Sequence, residues 1–93
     1  MKREQPGPYR VEIERSAERI MKRLPRDVLR RLRIAIKALG ADPRPHGHKK
    51  LSGYENLYRI RVGQWRISYA IEDDQLIVLV IEIAPRGGAY RNL

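Results

Sequence analysis

Two alternating runs joined by only Gly63 and Gln64 constrain this chain more than any other feature of its sequence. Residues 56–62 and 65–72 carry apolar side chains at every second position, a pattern typical of half-buried strands. A two-residue connection with glycine first favours a type II′ turn, so the two runs predict a tight hairpin. The register counted outward from that turn pairs Val62 with Trp65, Arg61 with Arg66, Ile60 with Ile67, and Arg59 with Ser68.

This register gives the hairpin one apolar face and one cationic face. We expect helices to cover the apolar face, which consists of Tyr58, Ile60, Val62, Trp65, Ile67, Tyr69 and Ile71. Its aromatic residues are predicted to belong to the core, with Trp65 making the largest single contribution to burial. The opposite face carries Arg59, Arg61 and Arg66.

Arginines directly opposite one another repel and weaken a sheet, whereas the planar guanidinium fork matches the geometry of phosphate. The cationic face is therefore interpreted as a preformed anion site. The alternative is a solvated sheet face, on which Glu82 of the following strand is the obvious partner for the arginines.

The remaining patterns complete an α+β fold. They predict a strand at residues 9–14, a helix capped by Ser16, and a second helix that Pro25 opens and Gly40 stops. A loop over residues 41–55 leads to the hairpin, and the nearly continuous apolar run at residues 75–83 predicts a strand covered on both faces. The expected architecture is an N-terminal strand, a two-helix hairpin and a three-stranded antiparallel meander, with the helices packed on one face of the sheet. Residues 1–8 are interpreted as a flexible arm and residues 9–93 as a single domain.

Charge and cysteine content restrict the possible functions. A net charge of +9 makes a polyanion the first partner to consider. The absence of cysteine excludes disulfides, thiolate metal sites and cysteine nucleophiles, and it suits a reducing, cytoplasmic location. No apolar run approaches the roughly 18 residues that a membrane span needs.

Three segments together resemble a known family. Residues 51–53 (LSG), 57–69 (LYRIRVGQWRISY) and 84–90 (APRGGAY) are similar to the signature of RelE-type toxins, within the RelE/ParE superfamily of type II toxin–antitoxin modules. The resemblance extends over most of the chain from Tyr9 onward.

The resemblance implies a RelE-like fold and a ribosome-dependent endoribonuclease that cleaves mRNA in the A site. In that reaction the 2′-hydroxyl attacks the adjacent phosphate, and neither a metal nor another cofactor is needed. By position, the family's catalytic set falls on Arg59, Arg61, Arg66, Arg86 and Tyr90. The best-known members often have lysine at the positions of Arg59 and Arg61. Because arginine is a poor proton acceptor, the general base stays unassigned.

Further basic residues are expected to contact RNA. Lys49 and Lys50 suit phosphate, and the resemblance assigns the excess of basic residues on the helices, including Arg30 and Arg31, to ribosomal RNA. His46 and His48 are included with them because they precede the basic hairpin, although an exposed loop histidine without a role is the commoner case.

The implied partners are the ribosome, its message and a RelB-like cognate antitoxin, through which the toxin–antitoxin complex binds operator DNA. No membrane partner is expected. Two other functions remain open from the sequence: a ParE-like toxin that inhibits DNA gyrase without cutting RNA, and a basic RNA-binding module without catalysis.

Overall fold

The computed structural model describes residues 7–86, in which two helices pack on one face of a five-stranded sheet. The strands are β1 (Arg10–Ile13), β2 (Lys49–Lys50), β3 (Leu57–Val62), β4 (Trp65–Glu72) and β5 (Ile77–Pro85). The helices are α1 (Arg15–Lys22) and α2 (Arg26–Ala38). Of the predicted N-terminal arm, residues 1–6 lie outside the described residues, whereas Gly7 lies directly against the backbone of Ala41.

The sheet has the strand order β1-β5-β4-β3-β2. Strands β3, β4 and β5 form the predicted antiparallel meander, and β1 adds to it in parallel beside β5. The predicted hairpin register is confirmed from Val62–Trp65 to Arg59–Ser68. Gly63 has a φ of +60° and Gln64 does not have a positive φ, as a type II′ turn requires.

The core lies between the helices and the predicted apolar face. Ala17 and Met21 of α1, with Leu32 and Ile36 of α2, are buried against Tyr69 and its neighbours on the sheet. Pro25 has an extended conformation immediately before α2, so it separates the two helices as predicted.

Several local expectations were wrong. Trp65 is only half-buried, and Tyr69 is the largest fully buried side chain. The predicted cap Ser16 lies inside α1, because Glu14 keeps the extended conformation of β1 and the helix begins at the next residue. The predicted stop at Gly40 is confirmed, because α2 ends at Ala38 with Leu39 as its C-cap, although Gly40 does not adopt a positive φ. The carbonyl oxygen of Gly40 accepts a hydrogen bond from the Tyr9 N–H at 3.1 Å.

Two expectations about the sheet also require correction. The predicted loop contains β2, which pairs with the outer edge of β3. Within residues 7–86, β5 is covered on one face only: Val78, Val80 and Ile83 are buried, while Ile77, Leu79 and Ile81 remain partly exposed. Both helices within residues 7–86 are too short and too polar to cross a membrane.

Candidate functional site

The sheet face that neither helix covers, here called the open face, carries four cations in two directly opposed pairs. Arg61 lies opposite Arg66 across β3 and β4, and Lys49 lies opposite Arg59 across β2 and β3. We call these four residues the cationic half of the open face. Like charges in opposed positions destabilise a sheet, so their arrangement does not serve the fold.

Arg66 is the most constrained member of the cationic half. Its side chain is half-buried in the middle of the sheet, and its Nε is buried without a hydrogen-bond partner among residues 7–86. A buried donor left unpaired costs roughly 1–3 kcal/mol. Arg66 therefore carries a charge opposite Arg61 and a buried donor that do not stabilise the fold.

Carboxylates within the described residues do not neutralise the cationic half. Over residues 7–86 the ion pairs join Arg10 to Glu12, Arg33 to Glu18, and Arg44 to Asp73. Glu82, the partner considered from the sequence, instead lies opposite Ser68, whose Oγ is 3.5 Å from Glu82 Oε1. The four cations thus keep their charge for a partner outside this part of the chain.

Arg86 follows the last strand at the turn end of the hairpin. Its backbone N–H donates to the carbonyl oxygen of Gln64 at 2.6 Å, which fixes it next to the Gly63-Gln64 turn. Arg31 of α2 reaches the same turn, with Nη1 3.7 Å from where a Cβ on Gly63 would lie. Tyr90, the remaining member of the expected catalytic set, lies outside the described residues.

The segment between α2 and β2 is held in place by a network of polar and aromatic contacts. Arg44 pairs with Asp73 through Nη2 and Oδ2 at 2.9 Å, and its guanidinium carbon lies 5.2 Å from the ring centroid of Tyr58. Tyr69 donates its hydroxyl hydrogen to the carbonyl oxygen of Pro43 at 2.8 Å. The Tyr9 hydroxyl donates a hydrogen bond to Oδ1 of Asp73, the carboxylate with which Arg44 pairs. These contacts fix the segment against the sheet.

The same contacts, together with the burial of Tyr69, shift the pKa values of several of these groups. Hydrogen bonds from Arg44 and Tyr9 lower the pKa of Asp73, because both stabilise the carboxylate. The hydrogen bond to Asp73 raises the pKa of Tyr9. Burial raises the pKa of Tyr69 to about 12, because the phenolate would lose its hydration.

A cavity of about 330 Å³ opens beside the cationic half. Its lining combines Lys49, Arg59 and Arg61 with His46 and Gly47 of the fixed segment. Positive charge on strands and a loop histidine thus meet at one depression, whose size is near the lower limit for a small-molecule site.

The other predicted RNA contacts lie in different places. Lys50 lies opposite Tyr58 in the register, and so belongs to the strand face that Lys49 does not occupy. Arg30 is exposed on α2. His48 is half-buried, with its ring 5.9 Å from that of Tyr58 and its Nδ1 donating to the Pro45 carbonyl oxygen at 2.8 Å.

The other half of the open face is apolar. A depression of about 490 Å³ is bordered by Leu51, Tyr54, Leu57 and Ile81, and Tyr54 is 59% exposed. We call these four residues the apolar half. A polar boundary of Ser68 and Glu82 separates it from the cationic half.

Most of the chain is similar to toxins of bacterial and archaeal origin. The ParE toxin family of type II toxin–antitoxin systems, parDE, matches residues 9–90. The chain belongs to the RelE/ParE toxin family. A RelE1 protein of Methanocaldococcus jannaschii is 32% identical over 87 residues, covering 90% of this chain and 97% of that protein. The toxin RelE of Mycobacterium tuberculosis is 33% identical over 85 residues, covering 90% and 88% respectively.

Solved structures confirm the RelE/ParE fold. The archaeal RelE–RelB complex of Pyrococcus horikoshii matches with a TM-score of 0.78 and 28% identity, over 86% of this chain and 97% of that one. This RelE/ParE protein is therefore a toxin of the type II class, and the strands that bear its cationic half belong to the part that the family match covers.

Proposed function

We propose that this RelE/ParE toxin is a ribosome-dependent endoribonuclease that cuts mRNA in the A site. The observation that carries the proposal is the cationic half: four permanently or predominantly charged side chains in two opposed pairs, without a carboxylate partner among residues 7–86. Membership of a family that contains named RelE toxins favours RNA as the anion.

The cationic half suits transphosphorylation at an RNA phosphodiester. The 2′-oxygen forms a bond to phosphorus as the bond to the 5′-oxygen breaks, giving a 2′,3′-cyclic phosphate and a 5′-hydroxyl. Negative charge grows on the non-bridging oxygens, and preorganised guanidinium donors stabilise it. Arg61 and Arg66 are proposed to hold the scissile phosphate, with Arg59 and Arg86 at its two sides. Tyr90 is proposed to stack on a base, the alternative being that it assists removal of the 2′-hydroxyl proton.

Docking on the ribosome is assigned to the remaining basic surface. Arg30, Arg31 and Lys50 are proposed to contact ribosomal RNA, with Lys49 and the two loop histidines nearer the message. Each phosphate contact releases counterions, so binding depends on salt.

A RelB-like antitoxin is the proposed protein partner, because RelE relatives from Pyrococcus horikoshii and Mycobacterium tuberculosis have been solved in complex with antitoxins. The apolar half of the open face offers such a partner exposed side chains beside the cationic half. An acidic segment bound there would neutralise the charge that RNA needs. Operator binding by the complex is proposed to occur through the antitoxin.

Gyrase inhibition remains the second candidate, because the matching family carries the ParE name. It needs no set of phosphate-binding arginines on the open face. The ribonuclease acts on ribosome-bound mRNA and the gyrase inhibitor acts on DNA gyrase, so assays with purified ribosomes and purified gyrase distinguish the two functions.

The test uses ribosomes stalled on a labelled message with one defined codon in the A site. Wild-type toxin should cut within that codon and leave a 2′,3′-cyclic phosphate, while a message with 2′-deoxyribose before the scissile bond should stay intact. Arg66→Ala should abolish cleavage, whereas Glu55→Gln, a change at an exposed loop carboxylate, should not alter it. Uncut RNA together with inhibited gyrase supercoiling would contradict the proposal.

A further inference from the structure

The arginines of the cationic half do not supply one step of the proposed reaction. The attacking 2′-hydroxyl must give up a proton, and an arginine that stays charged above pH 12 does not accept it. We propose that His46 is the general base that takes this proton. The inference rests on the proposed ribonuclease function and adds a catalytic residue to it.

The first support is the position of His46 in the cavity beside the cationic half. The charged or titratable groups around it are Lys49 from β2, Arg59 and Arg61 from β3, and Asp42 from the preceding loop. Of these described residues, His46 alone has a side chain of the type that exchanges its proton near neutral pH. The imidazole of His46 thus lines the same cavity as three cations, where phosphate would bind.

The second support is the backbone that presents His46. The N–H of His48 donates to the Pro45 carbonyl oxygen at 3.0 Å, closing a four-residue turn, and Gly47 at its third position has a φ of +91°. A positive φ at that position is the signature of a type II turn and favours glycine. His46 occupies the second position, at the exposed corner.

Pro45 and His48, the first and last residues of this turn, make contacts that hold the turn in place, whereas His46 is exposed to solvent. The Pro45 carbonyl oxygen accepts hydrogen bonds from His48, and His48 also lies against the Tyr58 ring. His46 is exposed at the corner between them. The chain thus contains two histidines that look alike in sequence, one turned toward the sheet and one available to a substrate.

The third support is a second depression that meets the first at His46. A groove of about 470 Å³ shares His46, Ile60 and Arg61 with the cavity, and α2 supplies its apolar wall through Ala35 and Ala38. A ribose lies between its own base and its 3′-phosphate. With the base in the apolar groove and the phosphate on Arg61, the ribose falls where the two depressions meet.

The proposed step balances without any other reactant. The neutral imidazole of His46 takes the proton of the 2′-hydroxyl as the 2′-oxygen bonds to phosphorus. The bond from phosphorus to the 5′-oxygen breaks, and that oxygen takes a proton from solvent water. The imidazolium then returns its proton to solvent, which restores His46.

The test measures single-turnover cleavage on stalled ribosomes, with toxin in excess, for wild type, His46→Gln and His46→Arg. Loss of a general base slows a reaction by about 10²–10⁴-fold, and we expect both variants to fall within this range. The arginine variant carries a positive charge but accepts no proton near neutral pH, so it separates proton transfer from phosphate attraction. Thermal unfolding should not change, because His46 is exposed.

A purely structural role of His46 would not change how the cleavage rate depends on pH, so the pH profile distinguishes such a role from proton transfer. The wild-type rate should rise about tenfold per pH unit on the acid side and then level off, and His46→Gln should lose this dependence. His46→Ala should regain part of its rate with added imidazole.

The outcomes separate the two proposals. A His46→Gln variant that cuts within threefold of the wild-type rate, or keeps the acid limb, would overturn the role of His46 and leave the ribonuclease in place. Full activity of His46→Arg would also overturn it. A wild-type toxin that does not cut the message would overturn both.

Discussion

Replacing Arg66 with methionine should make the protein more stable and inactive at the same time. Methionine keeps an unbranched, apolar stem but lacks the charge and the Nε–H. Arg66 lies directly opposite Arg61, and its buried Nε has no partner among the described residues. Both features oppose folding, and both disappear in Arg66→Met.

The expected gain follows from these two contacts. A like-charged cross-strand pair costs roughly 0.2–1 kcal/mol, and an unpaired buried donor roughly 1–3 kcal/mol. Allowing for partial relaxation around the side chain, Arg66→Met should raise the free energy of unfolding by ~1 kcal/mol. For a domain of this size ~1 kcal/mol corresponds to a rise in Tm of about 4–8 °C.

The assay is thermal and denaturant unfolding of wild type, Arg66→Met and a control, in low and in high salt. The control is Arg19→Met on α1, an exposed position at which the change should stay within about 0.5 kcal/mol. At ~1 M salt the Debye length falls to ~3 Å, so the part of the gain that comes from Arg61 should shrink.

The result that refutes this reasoning is a variant less stable than wild type in low salt. It would mean that Arg66 stabilises the fold through contacts with the rest of the chain. Cleavage at the wild-type rate by a stabilised Arg66→Met would separately remove Arg66 from the site.

The remaining predictions concern the loop and the docking surface. The pKa of Asp73 is lower in the folded protein than in the unfolded chain, so the carboxylate stabilises the fold. This stabilisation is complete above the pKa of an unfolded aspartate, about 3.9, and is lost as the pH falls through the lower folded value. Asp73→Asn should therefore flatten the decline in the free energy of unfolding at acid pH. The pKa of Tyr69, raised to about 12, predicts stability that is complete below pH ~10 and lost as the pH rises toward 12, and Tyr69→Phe should remove this alkaline decline. Gly47→Ala should cost about 1–2 kcal/mol because of its positive φ and should slow cleavage, since it disturbs the turn that presents His46; unchanged unfolding and cleavage would contradict the turn's role. Affinity for the ribosome should fall steeply between about 50 and 200 mM salt, and a flat response would argue against docking through phosphate contacts.

The hairpin was predictable because two independent signals agree on it. The Gly63-Gln64 turn fixes the register, and the alternation of apolar residues independently fixes the face that is buried. A shift by one residue would have exchanged the two faces, so agreement between turn and pattern left one solution. The opposition of Arg61 and Arg66 follows from that register.

Features that depend on distant partners were not predictable in the same way. β2 has only two residues, too few to show alternation, and exists because Lys49 and Lys50 lie beside β3. For that reason the sequence did not indicate that Lys49 opposes Arg59. An apolar run such as β5 likewise does not reveal whether both of its faces have a covering layer.

The loop illustrates the same limit at the candidate site. Its path depends on Arg44 reaching Asp73, 29 positions away, and on Tyr69 reaching Pro43. Neither contact leaves a local pattern in the sequence. His46 and His48 therefore looked equivalent, and only the folded chain separates the inward histidine from the exposed one. The one local signal was Gly47, between the two histidines, whose positive φ closes the turn.

The most direct test of the account is to map the 5′ ends of ribosome-bound mRNA shortly after the toxin is induced in cells, for wild type and Arg86→Ala. Arg86 is exposed beside the hairpin turn, so its replacement should leave the fold intact. The account predicts new 5′ ends inside codons with the wild-type toxin and their disappearance with Arg86→Ala. Growth arrest with intact message, or identical 5′ ends for both proteins, would contradict it.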